Sequence, residues 1–112
     1  MKKLASVFAG LLLCLTTNAF AGGDVNSALT HANAAVSSGS SDTKAFLAHA
    51  AEALDDTLAA AIPAKGLLLS HLDEASKALG DAISHVKAGH GDMGVAAAET
   101  AVVHLKAAAA TK

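Results

Sequence analysis

The apolar residues beyond position 23 recur every three or four positions, as in amphipathic helices, and they fall into four separate runs. Asp24 stands just before the first run, where it predicts a helix N-cap. The cluster of serines and a glycine at 37–41 favours a turn after it. Asp42 or Ser41 is the predicted cap of the second helix, and Pro63 ends or kinks that helix because proline removes a helical hydrogen bond.

The third run extends roughly from Lys65 to Ala88, and Gly89 suits the position just past a helix end. Asp92 is the predicted cap of the fourth helix. Four amphipathic helices with short joints predict an all-α fold, an antiparallel four-helix bundle built from two αα-hairpins. The predicted buried stripes are Val25, Ala28, Leu29, Ala32 and Val36; Phe46, Leu47, Ala50, Leu54, Leu58 and Ala61; Leu68, Leu72, Ala75, Leu79, Ala82, Ile83 and Val86; and Val95, Ala98, Val102, Leu105 and Ala109.

Residues 1–21 have the pattern of a secretory signal peptide. Two lysines follow Met1, an apolar stretch continues to Leu15, and Ala19-Phe20-Ala21 forms an A-x-A processing site. Cys14 lies in this stretch. A lipidated cysteine normally follows a small residue, whereas Cys14 follows a leucine, so the pattern favours an ordinary signal peptide over a lipoprotein signal. We therefore expect cleavage after Ala21, export to the periplasm, and a mature four-helix bundle of residues 22–112.

The composition of this mature part excludes several classes of protein. It contains no cysteine, so neither disulfides nor thiolate zinc sites are available. Six lysines face ten acidic residues, a net charge of −4 with histidine neutral. That balance argues against nucleic acid and anionic membranes as partners, because both attract clustered positive charge. Abundant alanine, with no tryptophan or tyrosine, favours closely packed helices over a sheet.

All six histidines of the chain lie in the mature part. At about 100° of rotation per residue, none falls at the centre of its apolar stripe. His31, His49, His85 and His104 lie about 110° to 130° from the stripe centres, and His71 lies about 70° away. We therefore expect these side chains on the flanks or in solvent, where they are available as ligands, rather than as core histidines.

Heptad multiples separate several histidines: His71 and His85 are 14 positions apart, and so are His90 and His104. One heptad of helix rises about 10.5 Å, whereas a nitrogen ligand lies about 2.0–2.1 Å from its metal. Histidines a heptad apart on one helix therefore do not share an ion, and each needs a nearer partner. Three have a carboxylate within one turn. These pairs are His49 with Glu52, His71 with Glu74, and His85 with Asp81; His31 and His104 have none.

The densest set of donors surrounds the glycine turn at position 89, and we predict the principal metal site there. It consists of His85, His90, Asp81, Asp92 and Met93. The pair formed by His71 and Glu74 is expected to be isolated and weak. Neutral imidazole and carboxylate suit Cu(II), Ni(II) and Zn(II), of which copper generally binds most tightly, and methionine adds capacity for Cu(I).

Motifs of enzymatic chemistry are not found. The sequence has no HExxH, no glycine-rich phosphate loop that follows a strand, no GxSxG and no cysteine nucleophile in its mature part. We therefore expect a binding protein rather than an enzyme. A competing interpretation is a helical interaction protein of the periplasm, chaperone-like or involved in envelope stress, that binds no metal.

Several short runs around the histidines resemble the periplasmic small metal-binding protein (SmbP) family. The resemblance implies a histidine-rich helical bundle that binds several divalent metals, copper prominently, with a role in metal storage, buffering or tolerance. It extends over nearly all of the mature chain. The runs are ALTHA at 28–32, LAHA at 47–50, HLDEA at 71–75, LGDAISH at 79–85, AGH at 88–90 and ETAVVHL at 99–105.

The resemblance implies a metal-binding role only for the histidines that match the family's motif. These are His31, His49, His71, His85, His90 and His104. The chain has other residues where the family heptads usually carry histidine, and the resemblance therefore implies a reduced metal capacity. These positions are Ser38, Asp42, Asp56, Ala78 and Ala97.

Overall fold

The computed structural model describes residues 24–111, which form four α-helices. These are α1 (Val25–Ser38), α2 (Thr43–Ala61), α3 (Gly66–Lys87) and α4 (Gly91–Ala110). Helix α1 packs against α2 and α4, and α3 packs against the same two helices, so the four close into a ring. The predicted all-α bundle of two hairpins is thereby confirmed. The predicted signal peptide lies outside the described residues.

Side-chain caps begin the first two helices as predicted. Asp24 accepts a hydrogen bond from the Asn26 N–H at 3.2 Å, and Asp42 accepts one from the Ala45 N–H at 3.1 Å. The prediction that Asp92 is the N-cap residue of the fourth helix is wrong. His90 is the N-cap residue of α4 and makes no side-chain cap bond, and Asp92 lies in the first turn, where its charge complements the positive end of the helix dipole.

The turn between α3 and α4 follows the glycine signal in the sequence. Gly89 has φ +89°, the left-handed conformation that glycine adopts without strain. The His90 N–H donates to the His85 carbonyl at 2.8 Å, and the Gly89 N–H donates to the Val86 carbonyl at 3.1 Å. These two bonds form a Schellman motif, which lets α4 begin immediately and shows why it starts before Asp92.

Alanine lines much of the core. The apolar stripes predicted for α3 and α4 are largely buried. In α1 and α2 the buried face is shifted from the predicted stripe toward smaller residues, and Leu58 of the predicted stripe is 50% exposed. Each helix packs against two neighbours, so its buried arc is centred between two contact lines rather than on its largest side chains. The fully buried residues of α1 and α2 include Ala28, Ala32, Ala35, Phe46, Ala50 and Ala53, while Val25, Leu29, Val36, Leu47 and Leu54 are only half-buried.

Helices α3 and α4 approach closely near their turn because α4 has a glycine there. A Cβ atom at Gly94 would overlap Val86 Cγ2 and would lie 3.0 Å from the Ala82 carbonyl oxygen. At the start of the same helix, a Cβ at Gly91 would lie 2.8 Å from Ser40 Cβ in the other hairpin. These contacts fix the second hairpin internally and against the first. No helix within residues 24–111 is both long and apolar enough to cross a membrane.

Candidate metal centre

The second hairpin brings two histidines and a carboxylate together. His71 and Glu74 lie one turn apart on α3, and His104 approaches them from α4. Each offers one ligand atom, and these three atoms lie within 4.8 Å of one another. Among residues 24–111, this is the group of three histidine or carboxylate side chains arranged closely enough to hold a metal ion.

The distances within this group suit a small divalent ion. Glu74 Oε2 and His104 Nδ1 are 3.4 Å apart, and the ring centroids of His71 and His104 are 6.4 Å apart with their planes inclined at 33°. Ligand bonds of about 2.0–2.1 Å at a tetrahedral angle separate two donor atoms by about 3.3–3.4 Å. The carboxylate and His104 are thus already at that separation, and the donor atom of His71, within 4.8 Å of both, reaches it by a side-chain shift of at most about 1.5 Å.

One side of the group is open to solvent and the other meets the bundle. The side chains of Glu74 and His104 are 58% and 27% exposed, whereas His71 is half-buried. His71 Nδ1 is itself buried and has no hydrogen-bond partner among the described residues. An unpaired buried polar atom is costly, so a ligand or a rearrangement of this ring that satisfied it would be favourable.

The expectation that His71 and Glu74 form an isolated pair is wrong, because α4 adds His104 to them. His104 has no carboxylate within a turn of its own helix, and its partner lies across the hairpin instead. The sequence did contain a signal for this pairing. His71 stands 14 residues before His85 and His104 stands 14 after His90, so both are equally far from the turn.

The turn itself brings His85 and His90 together. Their ring centroids are 6.3 Å apart, with planes inclined at 49°, and the backbone bond of the Schellman motif joins the same two residues. Asp81 and Asp92 are exposed, and Met93 is 55% exposed. Within the described residues, the turn histidines and carboxylates do not form a three-donor group as compact as the one at His71. The metal site predicted at the turn stays a prediction.

His31 and His49 are buried, with only 2% and 6% of their surfaces exposed, so the expectation of flanking or exposed positions is wrong for both. The error follows from the core itself. The prediction centres each apolar stripe on the large apolar residues, whereas most of the residues that α1 and α2 bury are alanines. Glu52, one turn after His49, is half-buried.

The two buried histidines belong to a polar group between α1 and α2. His31 Nε2 lies 3.8 Å from Asp56 Oδ2, and the Ser27 hydroxyl donates to that oxygen at 2.8 Å. Burial lowers the pKa of His49 below its ordinary value of 6.5, and the nearby His31 lowers it further, against an opposing effect of Asp42. The structure therefore favours a neutral His49 imidazole.

Together these features define a histidine-bearing four-helix bundle in which one histidine–carboxylate group could hold a metal ion. The family model described as "Small metal-binding protein" matches residues 1–108, and the chain belongs to that family. The resemblance found in its histidine motifs is thus confirmed. No curated protein and no solved structure matches the chain.

Proposed function

We propose that the chain binds divalent metal ions through His71, Glu74 and His104. Cu(II) is the preferred ion, and Ni(II) or Zn(II) binds more weakly. The observation that carries this proposal is the convergence of three donors from two helices within 4.8 Å. Membership of the small metal-binding protein family supports the class of ligand. On this proposal the protein is a binder of metal and not an enzyme.

The order of metals follows from the donor set. Two imidazole nitrogens and one carboxylate oxygen are acceptable to all three ions, and for such ligands affinity generally rises to copper and falls again at zinc. Glu74 and His104 face solvent, so water can complete the coordination sphere. An open site of three donors is also suited to ions that must be released again.

Reversible binding of this kind would serve metal storage, buffering or tolerance. The signal peptide predicted at residues 1–21 supports a periplasmic location for that role. His85 and His90 at the turn, with Asp81, Asp92 and Met93 near them in sequence, are proposed as a second and weaker position. Their two rings are already adjacent, but a third donor would have to move toward them.

The test is a Cu(II) titration of residues 22–112 near neutral pH, followed by equilibrium dialysis and by electron paramagnetic resonance. We expect at least one ion per chain, with nitrogen ligands visible in the spectrum. Binding should weaken as the pH is lowered, because an imidazole must be neutral to bind metal and protons compete with the ion for it.

The variant Glu74→Gln should lower the affinity for Cu(II) at least about tenfold, because the loss of even an outer-shell partner costs about 10–100-fold. Glu99→Gln is the matched control, since Glu99 is an exposed carboxylate of α4 outside the donor group. Equal affinities of these two variants, together with unchanged binding by the double variant His71→Ala/His104→Ala, would refute the assignment of the site.

A further inference from the structure

Helix α4 exposes apolar residues on the side that faces away from the bundle. The helices that flank it, α1 and α3, expose polar or charged residues along nearly their whole length, such as Asn33 and Lys77. On α4, by contrast, Met93 is 55% exposed and Val103 is 63% exposed. A helix with apolar residues on opposite sides is normally covered on both, so this outer surface indicates a further contact.

The exposed apolar residues of α4 follow a heptad repeat. They recur at alternating intervals of three and four positions from the start of the helix to its end, the spacing with which one helix packs along another. The hydroxyl of Thr100 is the one polar group among them, and it already donates to the Ala96 carbonyl at 3.2 Å, so covering it leaves no donor unpaired. We refer to these residues as the outer stripe: Met93, Ala96, Thr100, Val103, the half-buried Ala107 and Ala110.

Charged residues flank the outer stripe on one side only. Asp92, Glu99 and Lys106 follow one another there at intervals of seven, and the other flank carries Ala97 and His104. Among residues 24–111, neither Glu99 nor Lys106 has an ion-pair partner. When two copies of such a helix pack antiparallel, equivalent flanks face each other, so a carboxylate and a lysine of one flank can form ion pairs between the copies.

We propose that the outer stripe is a homodimer interface, in which α4 packs antiparallel against α4 of a second copy. One alignment covers all six stripe positions and sets each large side chain opposite a smaller one. Its contacts are Met93 with Ala110, Ala96 with Ala107, and Thr100 with Val103. In the same alignment Glu99 of each copy lies about 3 Å along the helix axis from Lys106 of the other, which gives two ion pairs. This interface does not depend on metal.

Alignments shifted by one heptad are less favourable. Each uncovers two of the six stripe positions, and one sets Glu99 against Glu99 while the other sets Lys106 against Lys106. The first of these also brings Asp92 near Lys106, so it is the nearest competitor of the proposed alignment. In a parallel pair opposite flanks face each other, and Glu99 then meets His104 rather than a lysine.

The test is sedimentation equilibrium of residues 22–112 with a chelator present, at about 10 μM to 1 mM, the range of weak self-association. We expect a monomer–dimer equilibrium within this range. Val103→Glu should weaken the dimer at least about tenfold, because it sets two carboxylates close together at the two-fold axis. Ala109→Glu is the matched control and should leave the dimer unchanged. Position 109 is exposed on α4 but lies about 120° around the helix from position 103.

Charge reversal tests the alignment. Glu99→Lys and Lys106→Glu should each weaken the dimer at least about fivefold, because both ion pairs become repulsions. The double variant Glu99→Lys/Lys106→Glu should recover the unmodified affinity, since each pair forms again with its charges exchanged. In the shifted alignment that brings Asp92 near position 106, the double variant would stay as weak as Lys106→Glu. Circular dichroism of each variant checks that the helices remain.

Each outcome bears on one part of this inference. A chain that stays monomeric up to about 1 mM refutes the interface, and so does a dimer that Val103→Glu leaves intact or that Ala109→Glu weakens equally. Failure of the double variant to recover the dimer refutes the antiparallel alignment. None of these substitutions changes a donor of the group at His71, so Cu(II) binding tests the proposed function separately.

Discussion

Two glycines within the second hairpin should respond in opposite ways to the same substitution. In Gly80→Ala the new methyl group meets nothing within 4 Å, so the variant gains only the higher helix propensity of alanine, about 1 kcal/mol. In Gly94→Ala the methyl group overlaps Val86 and lies 3.0 Å from the Ala82 carbonyl oxygen. Overpacking costs about 1–3 kcal/mol. The same propensity gain offsets part of this cost, which leaves a net loss of up to about 2 kcal/mol.

The upper part of that range is expected, because neither neighbour of Gly94 can yield easily. Val86 is buried and its β-branched side chain has one strongly preferred rotamer in a helix, while the Ala82 oxygen belongs to the backbone of α3. Helix α4 must therefore move outward. Because α3 and α4 carry His71 and His104, the same movement should weaken Cu(II) binding in Gly94→Ala and leave it intact in Gly80→Ala.

Thermal and urea unfolding followed by circular dichroism measure the difference between the two variants, which should reach about 2–3 kcal/mol when the propensity gain of one and the overpacking of the other are combined. For a domain of this size, each kcal/mol shifts the Tm by about 4–8 °C. A Gly94→Ala protein as stable as Gly80→Ala would refute the close packing of α3 on α4.

Two further predictions concern the first hairpin and the helix starts. His49 has a lowered pKa in the fold, so the unfolded chain binds more protons between that pKa and 6.5, and stability should fall as the pH drops below about 6.5, by at most about 1.4 kcal/mol per pH unit. Urea unfolding from pH 7.5 to 5 should show this loss, and His49→Gln should remove its share; an unchanged slope would contradict the assignment. Asp42→Ala should cost about 1–2 kcal/mol, because it removes the cap bond to the Ala45 N–H. Asp92→Ala removes no cap bond and should cost less than about 1 kcal/mol, and equal losses in unfolding free energy would refute the distinction.

The helix boundaries were predictable because the groups that set them act locally. Asp24 and Asp42 bond to backbone N–H groups two or three residues away, and Gly89 meets a conformational need of its own backbone. Only at Asp92 did a local signal mislead. There the Schellman motif of the preceding helix places His90 at the cap position, so α4 begins earlier than the aspartate suggests.

The burial of His31 and His49 was not predictable from periodicity on a single helix. Which arc of α1 is buried depends on where α2 and α4 lie against it, and alanines let both approach closely. A histidine next to these alanines is therefore buried by the neighbouring helices, although the larger apolar residues of its own helix lie on another side. The partner of His31, Asp56, is 25 residues away in sequence and belongs to the facing helix.

The metal group at His71 depends on the register of the hairpin, and that register leads to a last prediction. His85 faces His90 at the turn, and His71 faces His104 14 residues along each helix, about 21 Å away. If the register is constant, the level midway between these two pairs holds Ala78 and Ala97, which are buried and half-buried. The double variant Ala78→His/Ala97→His should therefore create a third facing pair and bind one additional Cu(II) ion.

The double variant should also lose about 1–3 kcal/mol of stability, because a ring at Ala78 overfills the core. Ala78→His/Ala96→His is the matched control. Position 96 is exposed and points about 100° around α4 from position 97, so it does not face position 78. Isothermal titration calorimetry of both variants measures the number of Cu(II) ions bound per chain. An additional ion in the control, or none in the facing pair while the bundle remains folded, would show that equal distance from the turn does not place these residues opposite each other.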